Sequence, residues 1–273
     1  MKLYKTILIL AIGLFLTGCE DVINVNLDTA QPKLVIDASI DWAKNTKGNE
    51  QKIKLSTSTG YYSSQFPTVS GATVLVTNTA NTVFNFTETP NTGEYKCNNF
   101  QPIIGETYTL TVTLNGETYK ATETLTATPV IQKTIIQNNN GGFAGDEIEI
   151  KFSYQDDGTQ DNFYLNSITT SHIVFPKFDV SSDQLNQGNL ISLFYTQKDL
   201  KSGDIVFIKL FGTSKRFHDY FKKILIASGN DRNPFSTIPA VVRGNIINQT
   251  KSANFAFGYF RLSEVDTLSY IVQ

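Results

Sequence analysis

Between positions 107 and 114 the chain alternates without interruption. Tyr108, Leu110, Val112 and Leu114 fall on one face, and Thr107, Thr109, Thr111 and Thr113 on the other. Asn115-Gly116 then gives a two-residue type I′ turn signal, and 117–121 returns as the partner strand. Shorter strand-like runs lie at 34–40, 52–56, 73–77 and 83–86, bounded by Gly71 and by Asn/Thr turns. Strands at this spacing, with no helix between them, predict an antiparallel β-sandwich over 32–129. A second β-rich unit is expected over 130–273, with strands at 131–136, 147–152, 163–165, 205–210 and 255–261. Asn138, Asn139, Asn140, Gly141 and Gly142 read as a loop.

One segment changes period. Phe217, Tyr220, Phe221, Ile224 and Leu225 fall at helical spacing and predict a single helix over 215–228. Thr213 or Ser214 can cap its start and Gly229 its end. The aromatic stripe reads as core, and Lys222 and Lys223 as a solvated face supported by Asp219. The fold class is therefore all-β, two sandwich units of immunoglobulin-like type with one helix in the second.

The first eighteen residues stand apart. Lys2 and Lys5 precede the apolar run 6–16, too short for the roughly 20 residues of a membrane-spanning helix. Leu16-Thr17-Gly18-Cys19 follows, so 1–18 reads as a secretory signal that resembles the lipobox of bacterial lipoproteins. In that class the cysteine is acylated and becomes the first mature residue; the expected anchor is Cys19 in the outer-membrane bilayer, on a linker of residues 19–31. Glu20-Asp21 directly after it resembles the surface-export signals of Bacteroidota lipoproteins, which sets the expected location at the cell surface. Removing the signal takes Lys2 and Lys5 and leaves 21 basic against 25 acidic groups, net charge −4. With no basic stretch remaining, nucleic acid is not expected as a partner. Cys97 is the second of two cysteines, so a lipidated Cys19 leaves no intramolecular disulfide; Cys97 reads as a buried small hydrophobe.

Candidate chemistry is sparse. There is no Gly-x-x-x-x-Gly-Lys run, no Gly-x-Ser-x-Gly elbow and no His-Glu-x-x-His, and His172 and His218 are the two histidines of the chain. Both read as structural residues, and no metal or cofactor is expected. Asp156, Asp157 and Asp161 form the densest acidic cluster. A carboxylate-rich loop suits calcium, but the spacing does not follow an EF-hand, and a strand-connecting turn explains it. Glu147 and Glu149 share a strand face and read as its solvent side. Trp42, Tyr61 and Tyr62 lie in loop-like sequence and are the candidate platform for a glycan or peptide ligand.

The mature chain resembles the Bacteroidota lipoproteins called domain of unknown function 4249. The resemblance runs through 32–40, Pro67-Thr68-Val69-Ser70-Gly71-Ala72-Thr73-Val74, Gly93-Glu94-Tyr95 and Gly105-Glu106-Thr107-Tyr108-Thr109-Leu110. It continues through Asp161-Asn162-Phe163-Tyr164, Gly203-Asp204, Asn233-Pro234-Phe235-Ser236, Gly244-Asn245-Ile246 and Gly258-Tyr259-Phe260. The resemblance implies a first unit of immunoglobulin or transthyretin type. It also implies an accessory role beside a TonB-dependent outer-membrane receptor, and carries over no catalytic residues. The expected function is a non-catalytic surface lipoprotein that helps such a receptor capture a nutrient. The alternatives are a stand-alone glycan- or polymer-binding module and, further off, a hydrolase using Asp156, Asp157 or Asp161.

Overall fold

The computed structural model describes residues 31–60, 63, 65–229 and 241–273. Cys19 and its signal, Tyr61, Tyr62 and the 233–236 motif lie outside the described residues. The described fold is β throughout apart from one helix. β1 (Leu34–Ala43), β2 (Gln51–Thr57), β3 (Thr73–Asn78), β4 (Val83–Thr89), β5 (Glu94–Cys97), β6 (Thr107–Leu114) and β7 (Glu117–Thr124) come first. β8 (Ile136–Gly141), β9 (Glu147–Gln155), β10 (Phe163–Thr169), β11 (Lys177–Ser182), β12 (Leu190–Gln197) and β13 (Ile205–Thr213) follow. Helix α1 (Lys215–Ala227), β14 (Ile247–Asn248) and β15 (Phe257–Ile271) complete the order.

The predicted hairpin is β6–β7. Asn115 and Gly116 both take positive φ, as a type I′ turn requires, and the pairing runs from Leu114↔Glu117 to Thr107↔Thr124. Twelve strands form one sheet in the order β11-β10-β13-β15-β1-β2-β5-β4-β3-β6-β7-β14. β1 and β6 are five places apart in that order, yet Ile36, Ile40, Tyr108, Leu110 and Val112 share one core. The sheet must therefore fold over on itself, which makes the sandwich. Its seam is visible where Thr126 bridges Ser263 and Glu264 N donates to Thr126 O at 2.9 Å.

The chain passes from this first core to a second one around Leu125–Ile131, where the sequence places a boundary near Pro129. The boundary does not partition the strands. β15 pairs in parallel with β1 and antiparallel with β13, and its Phe260 and Leu262 belong to the first core. Pro32–Gln273 pack as one compact unit. The final strand is fifteen residues long where a short one was expected, because it serves both cores.

A smaller sheet, β12-β9-β8, covers one face of β10 and β13 through Ile150, Phe152, Tyr154 and Tyr195. Helix α1 covers the other face, setting Phe217 against Leu165, Phe211, Tyr259 and Val265. β10 is consequently buried on both faces along Phe163–Ile168, which explains its lack of alternation. The helix begins as expected: the Ser214 side chain accepts from Phe217 N. Gly229, at φ +76°, donates its N–H to Ile226 O at its end. Arg261 holds it from below, with its guanidinium 4.8 and 5.2 Å from the Phe211 and Phe217 ring centres and Nη2 2.8 Å from Asp41.

Two local readings need correction. The strand expected at 131–136 is a single bridge, Ile131 to Tyr154; the pairing starts at Ile136 and runs through the Asn-rich segment read as a loop. That segment pairs with β9 through a register shift between Asn138 and Gly141, so polar residues tolerate the strand because the ladder is irregular there. Trp42 is in β1 and not in a loop. It is half-buried, donates Nε1 to Thr46 O at 2.9 Å and stacks where a side chain on Gly48 would collide with it. Cys97 ends β5 in the first core, and burial pushes its thiol above the ordinary range.

Candidate functional site

β11 and β12 are edge strands of two different sheets, and neither was legible as a strand in the sequence. They face each other across a cleft of about 490 Å³, within the range of small-ligand sites. α1 closes the third side with His218, Lys222, Leu225 and Ile226. Phe178 of β11 and Phe194 of β12 border it and are exposed; the Phe178 ring packs edge-on against Phe221 of α1 at 5.5 Å, and the Lys151 ammonium of β9 lies 5.5 Å from the Phe194 ring centre. Tyr195 lies buried beneath, and the Lys177 ammonium sits 5.2 Å from its ring centre. Lys222 and Lys223 are exposed, as the solvated-face reading expects, but Asp219 binds Lys215 at 2.6 Å and His218 Nδ1 at 3.2 Å rather than either of them, and Lys222 borders the cleft.

The floor carries an unsatisfied amide. Asn166 of β10 is buried; its Nδ2 reaches Ser181 Oγ at 3.5 Å and its Oδ1 has no partner. Turning the amide over would exchange the two ends and still leave one unpaired. Ser181 Oγ is also 3.2 Å from Tyr154 OH, and the Tyr154 ring packs edge-on against Tyr164 at 4.9 Å.

This chain of contacts leads to a buried pair of carboxyls. Asp156 Oδ1 accepts from Tyr164 OH at 2.5 Å and Oδ2 from Gly188 N at 2.9 Å. Asp183, with no exposed surface, lies within hydrogen-bonding reach of Asp156. Its Oδ2 accepts from Asn162 Nδ2 at 3.3 Å and its Oδ1 has no partner. Burial pushes the Asp183 carboxyl above the usual carboxylate range, and the Asp156 charge adds to this against the Asn162 bonds. Burial and the bond to Asp156 likewise hold the Tyr164 phenol far above its ordinary range. Three of the four carboxyl oxygens already accept bonds from O–H or N–H groups, so the free Oδ1 is a place for a proton rather than for calcium, which wants six to eight oxygens.

The sequence cluster of Asp156, Asp157 and Asp161 does not converge. Asp157 is exposed and bonds the N–H and hydroxyl of Thr159, Asp161 is exposed, and the partner of Asp156 comes from the β11–β12 connection. Among the described residues no three His, Cys, Asp or Glu side chains gather as a metal site. His172 follows β10 in a turn and bonds Asp204 at 2.7 Å, which holds the Asp204 carboxyl below its usual range. His218 is half-buried against Phe163 at 5.3 Å. Glu149 lies against Gly141 at the end of β8, and Glu147 against Gly142 just past it.

The raised Asp183 carboxyl makes a pH prediction. Asp183 keeps its proton to higher pH in the fold than in the unfolded chain, where its pKa is about 3.9. Its stabilising contribution is thus whole below that value and is lost as pH rises through the raised one. Asp183→Asn supplies an N–H in place of the acid O–H at every pH. At neutral pH its melting midpoint is expected about 2–4 °C above wild type, the effect of one net hydrogen bond of about 1 kcal/mol. The gap should close in acid. A variant that melts lower at every pH would show that the ionised form is the one the fold needs.

No helix among the described residues is long and apolar enough to cross a membrane. No curated protein sequence matches the chain. Among solved structures, a two-domain fibronectin type III segment of chicken tenascin is similar over 66% of this chain and 90% of that one, at 10% identity and TM-score 0.21. The FN1–FN3 domains of chicken CNTN1 are similar over 64% and 57%, at 13% identity and TM-score 0.22. A family model described as "Domain of unknown function (DUF4249)" matches residues 20–269, from before β1 through the cleft and into the closing strand, and the chain belongs to that family.

Proposed function

We propose that this chain is a lipid-anchored, non-catalytic capture protein of the outer-membrane surface, acting as the accessory subunit of a TonB-dependent receptor. The observation that carries the reading is the cleft between β11, β12 and α1. It has the volume of a small-ligand site, exposed aromatic walls and a floor with unused hydrogen-bonding capacity, on a framework of paired strands. The apolar run ending at Cys19, the acidic Glu20-Asp21 and the short linker before β1 support the anchor and its side of the membrane. The accessory role follows from the family resemblance.

The test is a mild-detergent isolation of the tagged lipoprotein from its own envelope, with mass spectrometry of its partners and protease treatment of intact cells. A stoichiometric TonB-dependent receptor and loss of the protein on protease treatment are expected. Isolation without any envelope partner, or full protection in intact cells, overturns the reading. Exposed Phe178 and Phe194 favour a second one, direct capture of a glycan without a receptor, and a protease-sensitive but partnerless protein would support it.

A further inference from the structure

We infer that the connection between β11 and β12, residues 183–189, is a pH latch: it closes on the β9–β10 turn while Asp183 holds its proton and opens when Asp183 ionises. The inference goes beyond the capture reading and does not depend on it. The connection reads Asp-Gln-Leu-Asn-Gln-Gly-Asn, so Asp183 is its one charged group. It meets the turn at two points, with a carboxyl of the buried pair at each. At its start Asp183 N donates to Asn162 O at 3.2 Å, and the Asp183 side chain lies against Asn162 and Asp156. At its end Gly188 N donates to Asp156 Oδ2 and Gln155 Nε2 to Gly188 O, both at 2.9 Å, and Asp156 N donates to Asn189 O at 3.1 Å. The approach is close: a Cβ on Gly158 of the turn would lie 2.9 Å from Gly188 Cα. Leu185, the one apolar residue of the connection, is 95% exposed, so apolar burial does not hold it down.

An ionised Asp183 would find poor company in the closed state. The titratable groups around it are Asp156 just after β9, Tyr154 of β9, Tyr164 of β10 and, acting on Tyr154, Asp179 of β11; β12 carries no charged side chain. The strongest influences on Asp183 are burial, Asn162 and Asp156, and none is cationic. Asn162 Nδ2 also donates to Asp157 O and Gln160 O at 2.9 Å, which leaves Asp183 its 3.3 Å contact. Tyr164 OH is spent on Asp156, and Asp183 Oδ1 has no partner. Ionisation therefore sets a second carboxylate beside Asp156 without a counter-charge, and opening the connection relieves it by admitting water.

The direction follows from linkage. The Asp183 carboxyl titrates higher closed than open. Closure is strongest below about pH 3.9, weakens by up to about tenfold per unit above it, and levels off past the raised value. The connection ties the ends of both strands that border the cleft, so its opening loosens Ser182 and Leu190 with it.

Site-resolved hydrogen exchange on the mature chain carrying Cys19→Ser tests the latch, with each rate divided by that of an unstructured peptide at the same pH. Protection of the Gly188 and Asn189 amides is expected to fall as pH rises from 4, by about tenfold for each unit crossed before the raised value is reached. Local opening exposes little surface, so these rates should not respond to dilute urea, whereas those of β6 should. Asp183→Asn puts an N–H where the acid proton was and should hold the Gly188 protection level with pH. A carboxyl 13C titration needs no variant: Asp183 of the wild type should titrate above the ordinary range, at the pH where the fall in protection levels off. Protection indifferent to pH, Gly188 exchange that quickens with urea as β6 does, a fall that persists in Asp183→Asn, or an Asp183 carboxyl that titrates in the ordinary range overturns the inference. Each of these outcomes can occur whether or not a receptor is recovered from the envelope.

Discussion

Gly258→Ala is expected to cost more than about 3 kcal/mol and to leave little folded protein. Gly258 sits in β15 directly opposite Ile36 of β1, in the parallel pairing that joins the first core to the rest of the sheet. Its φ is +96°, and a Cβ there would lie 2.0 Å from Ile36 O and 2.7 Å from Ile36 C. Those are backbone atoms of a fully buried residue, so neither can give way without parting the strands. The crowding extends one layer further: a Cβ on Gly244 would fall 1.7 Å from Gly258 O. Gly71 supplies the control. It also has positive φ, +79°, but nothing lies within 4 Å of its Cβ position, so Gly71→Ala should lose only the backbone preference, about 1 kcal/mol. Urea denaturation followed by circular dichroism compares the two. Similar losses at both positions would show that backbone angle, not close approach, is what glycine provides in β15.

The contrast shows what the sequence could and could not say. Gly71, Gly116 and Gly229 read correctly as turn and cap glycines because their reason is local. The reason for Gly244 and Gly258 is instead an approach of three chain segments far apart in sequence. The same division runs through the fold. The β6–β7 hairpin and α1 were legible because each buries one face of a periodic pattern. β10, buried on both faces, shows no alternation beyond a short apolar start, and β11 and β12 are edge strands whose exposed positions hide their period. The cleft is built from those two strands, so it was the least legible part of the molecule. Lys222 could be placed on the polar side of the helix but not against β11, and Asp156 could be counted among neighbouring acids but not matched with Asp183. Trp42 misled for the opposite reason: it follows a clear strand closely enough to look like the loop beyond it, and β1 continues through it.

Asn245→Ala is expected to cost about 2–4 kcal/mol, far beyond the effect of a turn residue. Asn245 is almost fully buried and its side chain acts as a segment of strand. Its Oδ1 accepts from Phe260 N at 2.9 Å and its Nδ2 donates to Phe260 O at 2.8 Å, the pairing that a neighbouring backbone would otherwise supply. The same Nδ2 lies 3.5 Å from Glu123 Oε2, which also accepts Tyr259 OH at 2.9 Å. Burial pushes the Glu123 carboxyl above its usual range, against bonds from Tyr259 OH, Thr124 N and Ser214, and the Asn245 amide adds a longer contact to the same carboxyl. Alanine removes both contacts to Phe260 and one donor from Glu123 together. Asn245→Asp separates the contributions, because it keeps the acceptor for Phe260 N but sets a carboxyl against Phe260 O and Glu123. The protonated form is favoured in that environment, so its stability deficit should be smallest near pH 4 and grow as pH rises. Urea unfolding of both variants across pH measures this. A pH-independent deficit in Asn245→Asp, or an Asn245→Ala midpoint equal to wild type, would mean that water replaces the amide and that the Gly-Asn-Ile motif is held for the glycine alone.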